Sequence, residues 1–408
     1  MVERAFQHPP RKGGTIDWTL LKAVFVLALA LMASACRQAG GESAYIELLK
    51  AVPDTKETRA YVALNDYEAV RQAYGVRPPR SNEGDDLLDY LLDLSGPLLE
   101  SGGRWRPIGA TWISGYGQAQ YLEVRASPIS RYVGFGIRDV TMDVQAGAPP
   151  GVFEAARGSF DPEETDRLLR RCRDCPKEAL DRYEDREYQG VAIHSWGDGL
   201  QANLTLRLSP PVFDQLGRAK PLAVQKEWVF GTTSVTGLRA MIDAQQGRGR
   251  SLADREEFRL LAQGLSRLGA HTAFMSDQTT GLEDLASWLG TALGTEVAKE
   301  QLALLSKEPL LRPYRAYAMG AGKDEDGRYA VVVLVHATKG AASENVRLLP
   351  RRIREAKSLY SGQAWSSLIE DVEAEAEGLV LLAKLRGDRI HRAWAEVIAR
   401  RDSLLLHE

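Results

Sequence analysis

The chain has 408 residues, a formal net charge of −3, and 44% hydrophobic and 26% charged residues. This composition is typical of a globular protein with one large core or two smaller ones. It excludes a disordered chain, a collagen-like repeat and a disulfide-dense mini-protein. The charge balance also argues against a nucleic-acid partner, because dedicated binders carry an excess of basic residues.

The first 35 residues have the three-part pattern of a secretory signal. Basic residues come first, the apolar run 23–32 follows, and the small residues Ala33-Ser-Ala35 precede Cys36. A membrane-spanning helix needs about 20 apolar residues, so the run is short for a span. The pattern predicts a signal peptide over residues 1–35.

The string Leu31-Met-Ala-Ser-Ala-Cys36 resembles a bacterial lipobox. The resemblance implies a diacylglyceryl group on Cys36, cleavage before that residue, and a further acyl chain on the freed amine. The expected partner is therefore the cell membrane, bound through acyl chains on Cys36, with the protein facing the periplasm or the cell exterior. An uncleaved signal anchor from about Trp18 to Ala35 is the alternative, and it places the chain on the same side.

Residues 36–44 are predicted to form a tether, and globular signals begin near Tyr45. From there a short apolar strand followed by a polar cap and an amphipathic helix recurs several times. The four strands are expected at Ala60–Leu64, Val152–Ala156, Glu227–Phe230 and Tyr329–His336. Their helices are expected at Tyr67–Tyr74, from Asp161, after Ser234 and from Ser343.

Turn residues between apolar runs predict hairpins. One hairpin is expected from Tyr188–Trp196 and Leu200–Leu208 around Gly197-Asp-Gly199, and another from Arg315–Gly320 and Arg328–His336 around an Asp-Gly turn. The stretch Val372–Leu385 is predicted as one strand. The fold expected is α+β, with antiparallel sheets and amphipathic helices packed on one face. Two similar-sized halves are expected, at residues 45–215 and 216–408.

Three motifs in a fixed order carry a second resemblance: Gly158-Ser-Phe-Asp-Pro-Glu163, Tyr188-Gln-Gly-Val191 and Ser251-Leu-Ala-Asp254. The succession resembles uncharacterised bacterial extracytoplasmic lipoproteins that share a domain of unknown function. The resemblance covers about residues 150–265, and more loosely the C-terminal third. It implies an envelope location and a mixed α+β fold, and it supplies no catalytic residue.

Cys172 and Cys175 form a C-x-x-C pair. An oxidising envelope favours a small structural disulfide, and thiol–disulfide redox chemistry is the sharper alternative. The Asp161-Pro-Glu-Glu164 helix start places Cys172 at the helix end, where the dipole opposes a thiolate. A structural disulfide or inert thiols is the expected role.

The remaining residue patterns predict no catalytic residue, no cofactor and no metal site. The six histidines are not spaced as ligand pairs, and a zinc site needs more ligands than one C-x-x-C supplies. The expected function is a membrane-anchored, non-catalytic role in binding, assembly or envelope maintenance, with an envelope protein as a candidate partner. The alternatives are an envelope thiol–disulfide oxidoreductase using Cys172 and Cys175, or a solute-binding protein.

Overall fold

A computed structural model describes residues 43–95, 129–149, 151–172, 174–197, 199, 201–207, 209, 213, 216–285, 295–400 and 402–408. The helices are α1 (Ala44–Lys50), α2 (Lys56–Ala60), α3 (Tyr67–Tyr74), α4 (Asp85–Ser95), α5 (Ser130–Val133), α6 (Pro162–Arg170), α7 (Lys177–Asp181), α8 (Val235–Gln245), α9 (Glu256–Arg267), α10 (Thr295–Leu305), α11 (Lys339–Glu355) and α12 (Ile390–Arg400). Residues Ser43–Glu408 form one compact unit.

The strands are β1 (Val62–Asp66), β2 (Val140–Ala146), β3 (Phe153–Gly158), β4 (Glu184–Tyr188), β5 (Val191–Ser195), β6 (Leu222–Val224), β7 (Trp228–Thr232), β8 (Thr272–Ser276), β9 (Ala316–Asp324), β10 (Gly327–Val335), β11 (Asp371–Glu377) and β12 (Val380–Arg386). They form one 12-stranded sheet in the order β11-β12-β10-β9-β8-β1-β2-β3-β7-β6-β5-β4. Neighbouring strands pair antiparallel, so the predicted α+β class is confirmed. The sheet runs across the boundary between the predicted halves, because β7 pairs with β3.

Strand alternation divides the core between the two faces of the sheet. On β10, Val331 and Val333 face one hydrophobic cluster, whereas Val332 and Leu334 face another. We call the side of Val331 the first face; α1, α8 and α9 pack on it. The second face is covered by α11 and α12 at one end and by α3 to α7 at the other. The helices therefore lie on both faces, whereas the sequence had suggested one.

Local signals place several elements where the sequence predicts them. The side chain of Asp66 accepts a hydrogen bond from Ala69 N at 2.8 Å, which caps α3, and Asp161 caps α6 in the same way. The β9–β10 hairpin turns at Glu325-Asp326, as its Asp-Gly signal indicates. The helix expected from Ser343 begins earlier, because Thr338 caps it, and it continues through Pro350 to Glu355.

Two strand predictions are wrong. The strand β5 pairs with β4 and β6, and the segment expected to be its partner contains the 3₁₀ turn Leu204–Leu206, capped by Asn203. The turn instead lies at Gln189-Gly190, where both residues have positive φ, 55° and 76°, as a tight hairpin requires. The second error is Val372–Leu385, which is a hairpin that reverses at Gly378 (φ 59°).

Candidate functional site

Cys36, the predicted signal peptide and residues 36–42 of the predicted tether lie outside the described residues. The structure joins Cys172 to Cys175 in a disulfide, with Cα atoms 5.5 Å apart. Both cysteines are half-buried in the loop between α6 and α7. Cys172 follows the carbonyl end of α6, which does not favour a thiolate at that position.

Two histidines, His194 on β5 and His336 directly after β10, are held by hydrogen bonds inside the fold. His336 accepts a hydrogen bond at Nε2 from Asn345 Nδ2 at 2.8 Å, and its Nδ1 lies 3.2 Å from the carbonyl oxygen of Leu379. His194 Nδ1 lies 2.8 Å from the hydroxyl of Tyr183. Burial lowers the pKa of both imidazoles. Within the described ranges, no group of three His, Cys, Asp or Glu side chains is arranged to hold a metal ion.

A line of polar side chains crosses the centre of the sheet on its second face. It consists of Thr272 on β8, Asn65 on β1, Asp143 and Gln145 on β2, and Glu154 on β3. We call this line the polar row. The strand registers place Asn65 opposite both Asp143 and Thr272, and Gln145 opposite Glu154. The row separates the two hydrophobic clusters of the second face.

Hydrogen bonds connect the first three members of the row. Thr272 Oγ1 donates to Asn65 Oδ1 at 2.7 Å, and Asn65 Nδ2 donates to Asp143 Oδ1 at 2.8 Å. The hydroxyl of Tyr67, the first residue of α3, donates to Asp143 Oδ2 at 2.7 Å. These four residues are almost completely buried. Each oxygen of the Asp143 carboxylate therefore has a donor, which offsets the cost of removing it from water.

The far end of the row holds a second buried carboxylate. Glu154 Oε1 accepts a hydrogen bond from Gln145 Nε2 at 3.4 Å, and Lys220 Nζ lies 3.7 Å from the same oxygen. Glu154 is 3% exposed. The row thus combines two carboxylates, two amides, a hydroxyl and a nearby ammonium group. Because the neighbours are bonded to one another, this chemistry orients strands and helix α3 more readily than it activates a nucleophile.

The polar row is not predicted from the sequence. The expected strand Ala60–Leu64 ends before Asn65, and no strand is predicted at β2. Polar residues at alternating strand positions were the only local signal, and that pattern normally indicates a solvated face. The pairing of β1, β2 and β8 brings together residues separated by up to 207 positions, which no local pattern contains.

His271 directly precedes Thr272, the first residue of the polar row, and it differs from the row in its hydrogen bonding. Its ring is 2% exposed and meets the ring of Tyr74 edge-on, with centroids 5.4 Å apart. Its Nε2 has no hydrogen-bond partner among the described residues. Burial lowers the pKa of His271 to about 4, so the ring is neutral at physiological pH.

A buried arginine joins α11 to the segment Ser403–Leu406. Arg352 is fully buried, and its Nε donates to the carbonyl oxygens of Ser403 and Leu404 at 3.1 and 3.0 Å. Its Nη2 donates to Ser403 O and its Nη1 to Pro309 O, both at 2.6 Å. We call this arrangement the Arg352 clasp. These hydrogen bonds hold three chain segments together: α11, the segment at Pro309 and the segment Ser403–Leu406.

Each helix that the structure describes is too short or too polar to cross a lipid bilayer. No protein-family model matches the sequence, and no curated protein matches it significantly. Crystal form III of TP0453 is similar at 9% sequence identity and a TM-score of 0.36, over 88% of this chain and 100% of that chain. Form IV gives 8% and 0.37, over 85% and 96%. These scores are too low to indicate a shared fold.

Proposed function

We propose that this protein is a lipid-anchored extracytoplasmic protein with a non-catalytic role in binding, assembly or envelope maintenance. The observation that carries the proposal is the start of the compact unit at Ser43, seven residues after the Cys36 of the lipobox-like string. A signal peptide, a lipidated cysteine and a short tether account for the chain before that point.

The proposed anchor is strong enough to hold the domain. Each buried methylene of an acyl chain contributes about 0.8 kcal/mol, and two or three chains give stable attachment where one does not. Seven extended residues reach about 25 Å, so the domain stays near the lipid surface. At its start the domain is fixed, because Ser43 Oγ lies 2.5 Å from Ser266 Oγ on α9.

Mass spectrometry of the native protein from membranes tests the anchor. We expect an amino-terminal peptide that begins at Cys36 and carries acyl chains, and a Cys36→Ala variant that is neither cleaved nor acylated. A bare Cys36 with residues 1–35 attached in a membrane fraction would indicate the signal anchor instead. The same polypeptide in the cytosolic fraction would overturn the proposal.

The proposal of a non-catalytic role rests on how the buried polar groups of the site are bonded. In the polar row and the Arg352 clasp, buried charges are bonded to neighbouring protein groups. Purification in mild detergent after cross-linking in intact cells tests the proposed role. We expect a defined protein partner at a stable ratio, and recovery of monomer alone with no cross-linked product counts against it.

Thiol–disulfide exchange is the second candidate, favoured by the half-buried Cys172–Cys175 disulfide. Titration against a dithiol redox buffer, read by alkylation of the released thiols, separates the two functions. A structural disulfide resists reduction at about −300 mV, whereas oxidoreductase pairs are reduced between about −270 and −120 mV. We expect the first result, and rapid alkylation of Cys172 in the second range would favour the enzyme.

A further inference from the structure

Exposed cations form a straight stripe along α11. The exposed positions Lys339, Ser343, Arg347, Arg351 and Arg354 are spaced by four, four, four and three residues, which places them on one side of the helix. Four of these five side chains are cationic. Arg351 is partly neutralised by Glu355, whose Oε1 lies 3.1 Å from its Nε. The opposite side of the helix buries Leu349 and Ile353 in the second-face core, so the stripe points away from the protein.

An apolar pair follows the stripe. Leu359 and Tyr360 are 40% and 66% exposed, in the loop directly after α11. The loop is held by Asp402, whose Oδ1 accepts a hydrogen bond from Leu359 N at 2.8 Å and whose Oδ2 accepts one from Tyr360 N at 3.3 Å. The hydroxyl of Ser358 donates to the same carboxylate. A loop fixed in this way presents its side chains with little further ordering cost on binding.

The chain enters the domain at the same edge of the sheet. Ser43 contacts Ser266 near the end of α9, and the next residue, Arg267, forms ion pairs with Glu375 and Glu377 of β11. The strand β11 is the edge strand, and α11 packs against it from the second face. The entry point and the stripe thus lie on opposite faces of the sheet, next to the same edge strand.

We propose that this surface docks onto an anionic lipid bilayer; we call the stripe and the Leu359–Tyr360 loop together the docking surface. Arginine guanidinium groups bind phosphate oxygens in a bidentate manner, and a basic stripe is attracted by an anionic leaflet. Tyrosine rings are enriched at the level of lipid headgroups, and Leu359 supplies apolar area beside them. The inference rests on the proposed lipid anchor at Cys36.

The proposed tether strengthens this docking. A span of about 25 Å keeps the docking surface at a high local concentration next to the membrane, so a weak interaction suffices to orient the domain. Both edge strands of the sheet are acidic: β4 has three acids and one base, and β11 has four acids, of which Glu375 and Glu377 are paired with Arg267. The expected orientation on an anionic bilayer therefore depends on the cations of the α11 stripe rather than on the edge strands.

A fluorescent label on the full-length acylated protein in vesicles tests the orientation. Gln363→Cys places the label in the docking loop, and Gln201→Cys places it in the loop after β5, near the other end of the sheet. Both residues are exposed glutamines, so the two variants are matched. The vesicles contain phosphatidylcholine, phosphatidylglycerol and a lipid with a nitroxide headgroup, and a second set lacks phosphatidylglycerol.

We expect strong quenching of the label at position 363, weak quenching at position 201, and loss of the difference without phosphatidylglycerol or at high salt. Each cation near an anionic surface contributes about fivefold to binding. The double substitution of Arg347→Gln and Arg354→Gln should lower the docked-to-undocked ratio about 25-fold. Replacing the exposed Arg259 and Lys307 by glutamine is the control, and it should leave the ratio unchanged.

Equal quenching at positions 363 and 201 in acylated protein would overturn the docking surface and leave the proposed anchor intact. The opposite combination of results also distinguishes the docking surface from the lipid anchor. If Cys36 is bare and the label at position 363 is still quenched when anionic vesicles are added, the docking surface stands and the proposed function fails. Substituting Tyr360→Ser provides a further check, because it should reduce quenching without altering α11, which precedes the loop.

Discussion

The Arg352 clasp and the polar row bury opposite charges by different means. Arg352 donates to backbone carbonyl groups from two distant segments and lies 3.5 Å from a carboxylate oxygen of Glu308. Asp143 instead accepts from the side chains of Asn65 and Tyr67. The clasp joins α11 to two segments outside the 12-stranded sheet, which also meet at a parallel bridge between Leu311 and His407. The row joins strands that are already paired. We therefore expect the clasp to matter more for global stability and the row to matter more for local order.

The largest expected effect is at the clasp. Arg352→Met keeps the length of the side chain but leaves the carbonyl groups of Ser403, Leu404 and Pro309 without this donor. Unsatisfied buried acceptors and the lost charge should lower the free energy of unfolding by about 3 kcal/mol or more. Chemical denaturation measures the change. Arg351→Met, next to it and exposed, is the control and should cost less than about 0.5 kcal/mol; equal losses would contradict the clasp.

His271 sharpens the comparison because its Nε2 is buried beside the row with no hydrogen-bond partner among the described residues. Its folded pKa of about 4 lies below the unfolded value of about 6.5, so the unfolded chain takes up the proton first. Stability should fall as the pH drops from about 6.5 to 4, by about 3 kcal/mol from this group. His271→Phe, which keeps an edge contact to Tyr74, should flatten that part of the curve. Parallel stability curves for the two proteins would refute the assignment.

The row itself should show a smaller effect. Asp143→Asn preserves the shape of the side chain but places an amide donor against either Asn65 Nδ2 or the Tyr67 hydroxyl. We expect a loss of about 1–3 kcal/mol in the free energy of unfolding. Hydrogen exchange should also increase more in β1 and β2 than elsewhere. The exposed Asp371→Asn on the edge strand β11 is the matched control, and an equal response of both variants would show that the row is not a stabilising network.

The smallest effect is expected at a half-exposed ion pair on the β9–β10 hairpin. Hydrogen bonds from Arg386 and then Lys384 lower the pKa of Asp324 to about 2. Because the folded pKa is depressed, the stabilisation is present above about pH 4 and is lost as the pH falls through 2. After allowance for solvent screening, Asp324→Asn should cost about 1 kcal/mol at pH 7. A difference between wild type and variant that is still undiminished at pH 2 would argue against this pairing.

The predictions that the structure confirms depend on local signals. Asp66 and Asp161 cap helices that begin where expected, and the Asp-Gly signal located the β9–β10 turn. The predicted hairpin after β5 is wrong because two local turn signals compete. Gly197-Asp-Gly199 has the composition of a hairpin turn, but the chain reverses at Gln189-Gly190, and a glutamine with positive φ is not a usual turn signal.

Neither the polar row nor the Arg352 clasp can be predicted from residues that are close together in the sequence. Asp143 and Thr272 meet through Asn65 only after β1 has paired with both neighbours. Arg352 lies in a helix whose sequence suggests a solvated basic face, and only the packing of α11 separates it from the exposed Arg351 beside it. The sequence thus shows a basic helix, whereas burial in the tertiary structure makes Arg352 a structural residue and leaves Arg351 at the surface.

The amino-acid sequence by itself determined the helix caps and the α+β class, and it predicts the lipobox-like address, because each depends on residues within a few positions of one another. The tertiary structure decided the strand order, the use of both faces of the sheet, and which charged side chains are buried. Those properties depend on contacts between residues far apart in the chain, and their free energy is gained only when the whole sheet has formed.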